Sequence, residues 1–318
     1  MTLIELMVAL AIGAFLMIGA ITVFMQSRAT FRITESLARL QENARFALDA
    51  VEPDIRMAHY WGLTSRSYLI QGRRTPTEPA GLGPATCGNN WTINLNQAVQ
   101  GTNNGYSWDC AGRPPVETSS DTLVVRRASE DPVAPAANQL SIQSTRSQPG
   151  QLFVGATVPA GYNASTSATH RLVVNGYYVS RSSTVVDMPS LRVKTLLANG
   201  TIEDREVMPG VEDMQVQFGV DTDTPGTATR PNPNRGSVDR YVNPDDPIID
   251  PTDAAFNPDA EILSVRVWLL VRAERTERGF TDTANYVYAD RNVGPFNDGF
   301  RRILVSKTIY LRNARPAS

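Results

Sequence analysis

Side chains that do chemistry are scarce in this sequence. Its 318 residues include two cysteines, Cys87 and Cys110, and two histidines, His59 and His170. The cysteines lie outside any Cys-x-x-Cys spacing, and two histidines are too few for a His-rich metal site. There is no Walker A loop, no Gly-x-Ser-x-Gly, no His-Glu-x-x-His and no dinucleotide fingerprint. Gly81-Leu-Gly83 has no third glycine at the required offset. With a formal net charge of -2 and no block of like charge, the composition gives no support for direct nucleic-acid binding. These absences argue against an enzyme and against a polyanion partner.

Charge is also missing from the start of the chain. From Leu6 to Met25 no residue is charged, and the first basic residue is Arg28. As a helix this run is ~30 Å long, the thickness of a bilayer's hydrocarbon core. A cleaved secretory signal would carry a basic segment ahead of a shorter apolar core, which this sequence does not have. Glu5 stands just before the run, where a carboxylate is costly near lipid unless it has a partner or reaches the interface.

The helical pattern continues after Met25 in a different form. Phe31, Leu37, Leu40, Ala44, Leu48, Val51 and Ile55 recur at intervals that mark an apolar stripe. The remaining positions carry Arg28, Arg32, Arg39, Arg45 and Arg56 together with Glu35, Glu42, Asp49, Glu52 and Asp54. Balanced charge of this kind suits a water-facing helix, with Glu35–Arg39 and Glu52–Arg56 in the favourable orientation four residues apart. The stripe is too short for a sustained coiled coil, so packing on a sheet is expected. Gly13 and Gly19 weaken the upper part, and Pro53 is expected to kink or interrupt the lower end.

The rest reads as β-structure punctuated by turns. Strands are expected at Thr122–Arg126, Gln139–Gln143, Gln151–Thr157, Arg171–Val174, Tyr177–Ser180, Leu191–Ala198, Thr201–Met208, Val211–Asp221, Ile262–Arg272 and Arg302–Arg312. Asn175-Gly176 and Asn199-Gly200 are read as hairpin turns. Leu263, Val265, Val267 and Leu269 form one wholly apolar face, suited to the helix stripe. Two stretches, 64–120 and 221–259, are rich in turn residues and read as long excursions with little regular structure. The first contains both cysteines. A Cys87–Cys110 bond would pin it and contribute ~3 kcal/mol in the chain-entropy account; two buried free thiols are the alternative.

Thr2-Leu3-Ile4-Glu5-Leu6-Met7-Val8 resembles, residue for residue, the mature N-terminus of type IV pilins and pseudopilins. Met1 stands where that class has a methylated Phe, and the charged leader ending in Gly is not in this sequence. A late start codon or a replaced first residue accounts for this. Arg39-Leu-Gln-Glu-Asn-Ala-Arg-Phe-Ala, then Ile55-Arg-Met-Ala and Tyr60-Trp-Gly, resembles the PilW family of minor pilins, as does Val211-Glu-Asp-Met-Gln-Val-Gln-Phe-Gly-Val-Asp. His59 and Leu63 occupy positions where that family has Gly and Cys, so its disulfide pattern does not transfer.

The resemblance implies an α+β, pilin-like fold: a long apolar helix packed on an antiparallel sheet. Residues 1–26 would form the membrane or filament-core half of the helix, 27–60 the half packed on the head, and 61–318 the head. It implies a single span in a bacterial inner membrane, with the head in the periplasm, before transfer to a surface pilus. Implied partners are other minor pilins, the major pilin, a tip adhesin, the assembly platform and prepilin peptidase. Met1 and Glu5 would serve processing and assembly. Twitching motility, adhesion and DNA uptake would follow at the level of the organelle. The alternative is a minor pseudopilin of a type II secretion system. Relatives often carry an Asp-x-Asp-x-Asp-Gly calcium loop where this chain has Asp221-Thr-Asp-Thr-Pro-Gly226. A calcium ion would have only Asp221 and Asp223 as ligands, because Pro225 takes the third place and Asn232 the place of the bidentate Glu; a solvated surface loop with no metal or other cofactor is the alternative.

Overall fold

The computed structural model describes residues 2–64, 67–72, 91–224, 226–227, 230–232 and 234–314. One helix, α1 (Leu3–Met57), runs through both halves of the patterned region. It continues past Pro53 and ends a turn later at Met57, with Ala58 as its cap and His59 in the left-handed region at φ 65°. The proline therefore does not interrupt α1. It sits in the final turn, where one missing N–H removes a single ladder bond.

The head is β-structure in two main sheets. The larger contains β1 (Ile70–Gln71), β2 (Val99–Thr102), β3 (Thr122–Ala128), β4 (Leu140–Thr145), β5 (Gly150–Val154), β6 (Ser167–Ser180), β7 (Ser190–Leu196) and β8 (Ile202–Pro209). The second is built on β9 (Val211–Asp221). Two short strands, β10 (Gly226–Thr227) and β11 (Arg230–Pro231), pair only with each other. Then β12 (Arg240–Val242), β13 (Glu261–Thr276) and, after a small hairpin of β14 (Tyr286–Tyr288) and β15 (Arg291–Val293), β16 (Phe300–Tyr310) complete the antiparallel order β12-β9-β13-β16. The layout is α+β and pilin-like.

One apolar cluster joins Leu40, Ala44, Ala47, Leu48, Val51 and Ile55 of α1 to both sheets. Lys307 of β16 lies opposite Val267 of β13, and its Nζ is 2.9 Å from Asp49 Oδ1 of the helix. Residues directly opposite in an antiparallel pair share a face, so the Val265–Val267–Leu269 face meets the helix, as its alternation predicts. Burial on the helix begins at Leu40; Phe31, read as part of the stripe, is 70% exposed.

Fifteen large apolar side chains between Leu3 and Met25 are exposed, Phe15 to 81%. At about 1.5–3 kcal/mol for fully burying each, that surface is worth on the order of 20–45 kcal/mol. A folded domain's whole net stability is about 5–15 kcal/mol. Water is therefore not the medium of this segment, and α1 is long and apolar enough to cross a membrane.

Asn199-Gly200 makes the expected turn between β7 and β8, with Gly200 at φ 78°. Asn175-Gly176 does not. It lies inside β6, whose early residues pair with β4, middle with β3 and later residues with β7. Glycine is used there because Trp108 packs on it: a Cβ at Gly176 would come within 2.7 Å of the indole. Trp108 stacks on Trp91 with ring centres 4.9 Å apart and also contacts Tyr106 and Tyr178. The described end of the excursion 64–120, residues 91–120, is correspondingly less open than its composition suggests. Trp91, Ile93 and Leu95 are buried. Fully buried Arg126 holds this segment, donating from Nε to Trp91 O (2.6 Å), from Nη1 to Gln97 O (2.5 Å) and from Nη2 to Gln100 Oε1 (2.6 Å).

Gly176→Ala is expected to destabilise the detergent-solubilised chain by about 1–3 kcal/mol, the range for overpacking a core. Gly13→Ala, where nothing lies within 4 Å, should cause no such loss. Denaturant unfolding curves check both; equal midpoints for the two variants would contradict the assignment of Gly176 to Trp108.

Candidate functional site

Charge clusters occur at the helix start, at the joint of stalk and head, and at the end of β9. The first is at the helix start. Glu5 Oε2 accepts from Thr2 N at 2.8 Å, and Thr2 Oγ1 accepts from Glu5 N at 3.4 Å. This reciprocal pair is a capping box that satisfies two backbone donors, and a carboxylate here also complements the helix dipole. Its signature, Thr2-x-x-Glu5, was legible in the sequence. Among the described residues, Glu5 Oε1 has no partner from this chain; Met1 lies outside them.

The second cluster joins stalk to head. Asp54, read from the sequence as part of the water-facing side, is 9% exposed. Its Oδ1 accepts from Arg127 Nε (3.1 Å) and Nη2 (3.0 Å). Its Oδ2 accepts from Tyr177 OH at 2.6 Å and from Asn175 Nδ2. Burial pushes the Tyr177 phenol well above its ordinary pKa, and the Asp54 charge acts in the same direction, so Tyr177 stays a donor. The donors come from β3 and β6, more than 70 residues away, so no local pattern announces them. A solvent-side tether supplements the joint: Lys307 Nζ meets Asp49 and Glu52, and Arg312 N donates to Arg56 O at 3.3 Å. The Glu52 hydrogen bond is the largest effect raising the Lys307 pKa, which keeps the ammonium charged.

The third cluster is Asp221, Asp223 and Asp239, whose carboxylate oxygens lie within 4.8 Å of one another. Sequence reasoning named the first two; Asp239 is brought in by pairing of β12 with the end of β9. The donor set is a poor match to calcium, which takes six to eight oxygens. Asp221 Oδ1 already accepts from Asp223 N (2.9 Å), and Asp239 Oδ2 accepts from Thr222 N (2.7 Å) and Oγ1 (2.8 Å). Arg235 Nη1 donates to the Asp223 carbonyl at 2.7 Å, placing a cation beside the acids. Glu261 is raised to about 7, chiefly by burial, against the pull of Arg235. Asn232 accepts from Asn234 N and donates to Thr224 O within its own loop. Pro225 lies outside the described residues. So does Cys87, and with it the proposed bond to Cys110.

Residues 176–313 match the family model described as Type IV Pilus-assembly protein W. This segment begins inside β6 and takes in the whole second sheet, including β16 and its Lys307 tether to the helix. No curated protein and no solved structure matches the chain.

Asp54→Ala is expected to cost about 3–5 kcal/mol, since it strands a half-dry guanidinium and a buried phenol. Asp49→Ala, on the exposed tether, should cost far less. Urea unfolding in detergent measures both. An Asp54→Ala variant as stable as wild type would show that the joint is held by apolar packing alone.

Proposed function

From the premise that this is a PilW-like type IV pilus protein, we propose that it acts as a minor pilin. In this reading it primes or caps pilus assembly at the filament tip, together with other minor pilins. It waits in the inner membrane as a single span with its head in the periplasm. Extraction by the assembly platform then moves the apolar stalk from lipid into a core made of neighbouring stalks, with the major pilin polymerising beneath. The observation that carries this reading is the uncovered surface from Leu3 to Met25, joined rigidly to a folded head. Chemistry on a substrate has no part in it. Support for a tip adhesin, twitching motility, adhesion and DNA uptake belong to the organelle. The match of the second sheet to a pilus-assembly family favours this reading over a type II secretion pseudopilin.

Glu5 has a specific task in this mechanism. Surrounded by apolar stalks, an unpaired carboxylate costs several kcal/mol. One oxygen caps its own helix, and the other is available for a cation. The nearby cations are α-amino groups at stalk ends, its own or a neighbour's, and pairing with one fixes axial register. Glu5→Val, in a gene carrying a cleavable leader, should be processed and retained in the inner membrane but absent from sheared filaments. Normal incorporation would remove the pairing role.

A further inference from the structure

The sheet β12-β9-β13-β16 has two faces, and α1 covers the one that carries Val265, Val267 and Leu269. On the reverse face Tyr241 lies opposite Gly219, Gly219 opposite Ser264 and Ser264 opposite Tyr310. Arg266 lies opposite Thr308, and Trp268 opposite Ser306. Residues directly opposed share a face, so these side chains form one strip across the sheet, turned away from α1. Tyr310 is 65% exposed and Ser306 is exposed, while Tyr241, Arg266, Trp268 and Thr308 are half-buried.

Arg266 is the charge of this strip. Its guanidinium carbon stands 3.7 Å from the centre of the Tyr241 ring and 5.7 Å from that of Trp268. The Tyr241 ring can lie down on the sheet because Gly219 has no side chain: a Cβ there would come within 3.0 Å of its Cε1. Arg266 Nε donates to Thr308 Oγ1 at 3.0 Å, and ring and hydroxyl together fix the guanidinium plane. Among the described residues, neither Nη nitrogen has an acceptor and neither is buried. No carboxylate of those residues pairs with Arg266, whereas Arg240 pairs with Asp246, Arg272 with Glu212, Arg301 with Glu277 and Lys307 with Asp49. The free end of the fork is the part that a bidentate carboxylate takes.

We propose that this strip binds an acidic glycan, with the carboxylate of one sugar on Arg266 and a neighbouring neutral sugar on the face of Trp268. One accessible cation matches one carboxylate and is too few for the successive phosphates of a nucleic acid. The aromatic faces offer apolar, electron-rich surface to the C–H side of a sugar ring, and Ser306 and Thr308 offer hydroxyls to its hydroxyl groups. A peptide strand docks along a sheet edge through main-chain bonds. This strip instead runs across the strands, from β12 over β13 to β16. The origin of the ligand rests on the assembly reading: in a filament whose core is made of stalks, the sheet face turned away from α1 points to the surroundings, where surface glycans are met.

Titration calorimetry on the full chain, in a detergent without a sugar headgroup, tests it. The probes are 3′-sialyllactose and aldotetraouronic acid, each with one carboxylate on neutral sugars; lactose and xylotriose are their neutral counterparts. At least one acidic sugar should bind saturably, and about tenfold or more tighter than its neutral counterpart, the scale of a charge-assisted pair. Arg266→Gln should remove that difference with an unchanged unfolding midpoint, and Arg266→Lys, which keeps the charge without the fork, should fall between. Trp61, Trp91 and Trp108 are buried, so a fluorescence change on binding should come from Trp268 and vanish in Trp268→Phe. Failure of both acidic sugars to bind, equal affinity for the neutral ones, or full binding by Arg266→Gln would overturn the proposal. The acetylated and amidated peptide Gly-Ser-Glu-Ser-Gly binding as tightly would also overturn it, in favour of an acidic peptide. The titration needs no filaments, so it can fail while the Glu5 test of assembly holds, and the reverse.

Discussion

A buried carboxylate fixes how this molecule is put together. Asp54 lies on the helix, and its donors Arg127, Asn175 and Tyr177 lie on two strands of the larger sheet. A charge in that position is costly unless all its bonds are made. Rotating α1 by one residue, or sliding it by one turn, would break the set. The joint therefore fixes both the rotation and the height of the stalk against the head. It also decides which side of α1 is hidden, namely Leu40, Ala44, Ala47, Leu48, Val51 and Ile55. Phe46, one position from Ala47, is left 55% exposed on the other side.

Two kinds of surface result from that arrangement. From Leu3 to Met25 the helix is exposed and presents an apolar cylinder that begins at the Thr2–Glu5 cap. Above it, apolar packing and the Lys307 tether hold helix and sheet as one body. Such a molecule is suited to changing its surroundings without changing its fold: in the proposed role the cylinder would exchange lipid for other stalks while the head stays intact. Both environments satisfy the same surface, so the cost of transfer is far smaller than the cost of exposure to water.

The sequence was most informative where structure is local. The unbroken apolar run, the Leu263–Leu269 alternation and the strand from Val211 to Asp221 were all legible, because their periods are set by the helix and the pleat. Asn199-Gly200 was legible as a turn for the same reason. Asn175-Gly176 has the same two letters and a different meaning. What decides it is Trp108, more than 60 residues earlier in the chain, whose ring occupies the space of a side chain. Asp54 was read as solvent-facing because the pattern around it is charged; its partners are distant in sequence. Asp239 was illegible for that reason too, since the pairing of β12 with β9 brings it to Asp221. The Glu5 cap has a local signature, Thr2-x-x-Glu5, because both partners of a capping box lie within one helical turn.

The account's central claim is that the surface from Leu3 to Met25 serves two environments in succession. Photo-crosslinking tests this most directly, with benzoylphenylalanine in place of Phe15, the most exposed aromatic of the stalk. In membranes before assembly the probe should react with lipid. In sheared filaments it should yield a covalent product with the N-terminal stalk of another pilin. Filaments that contain the labelled chain but give no stalk-to-stalk product would contradict the claim.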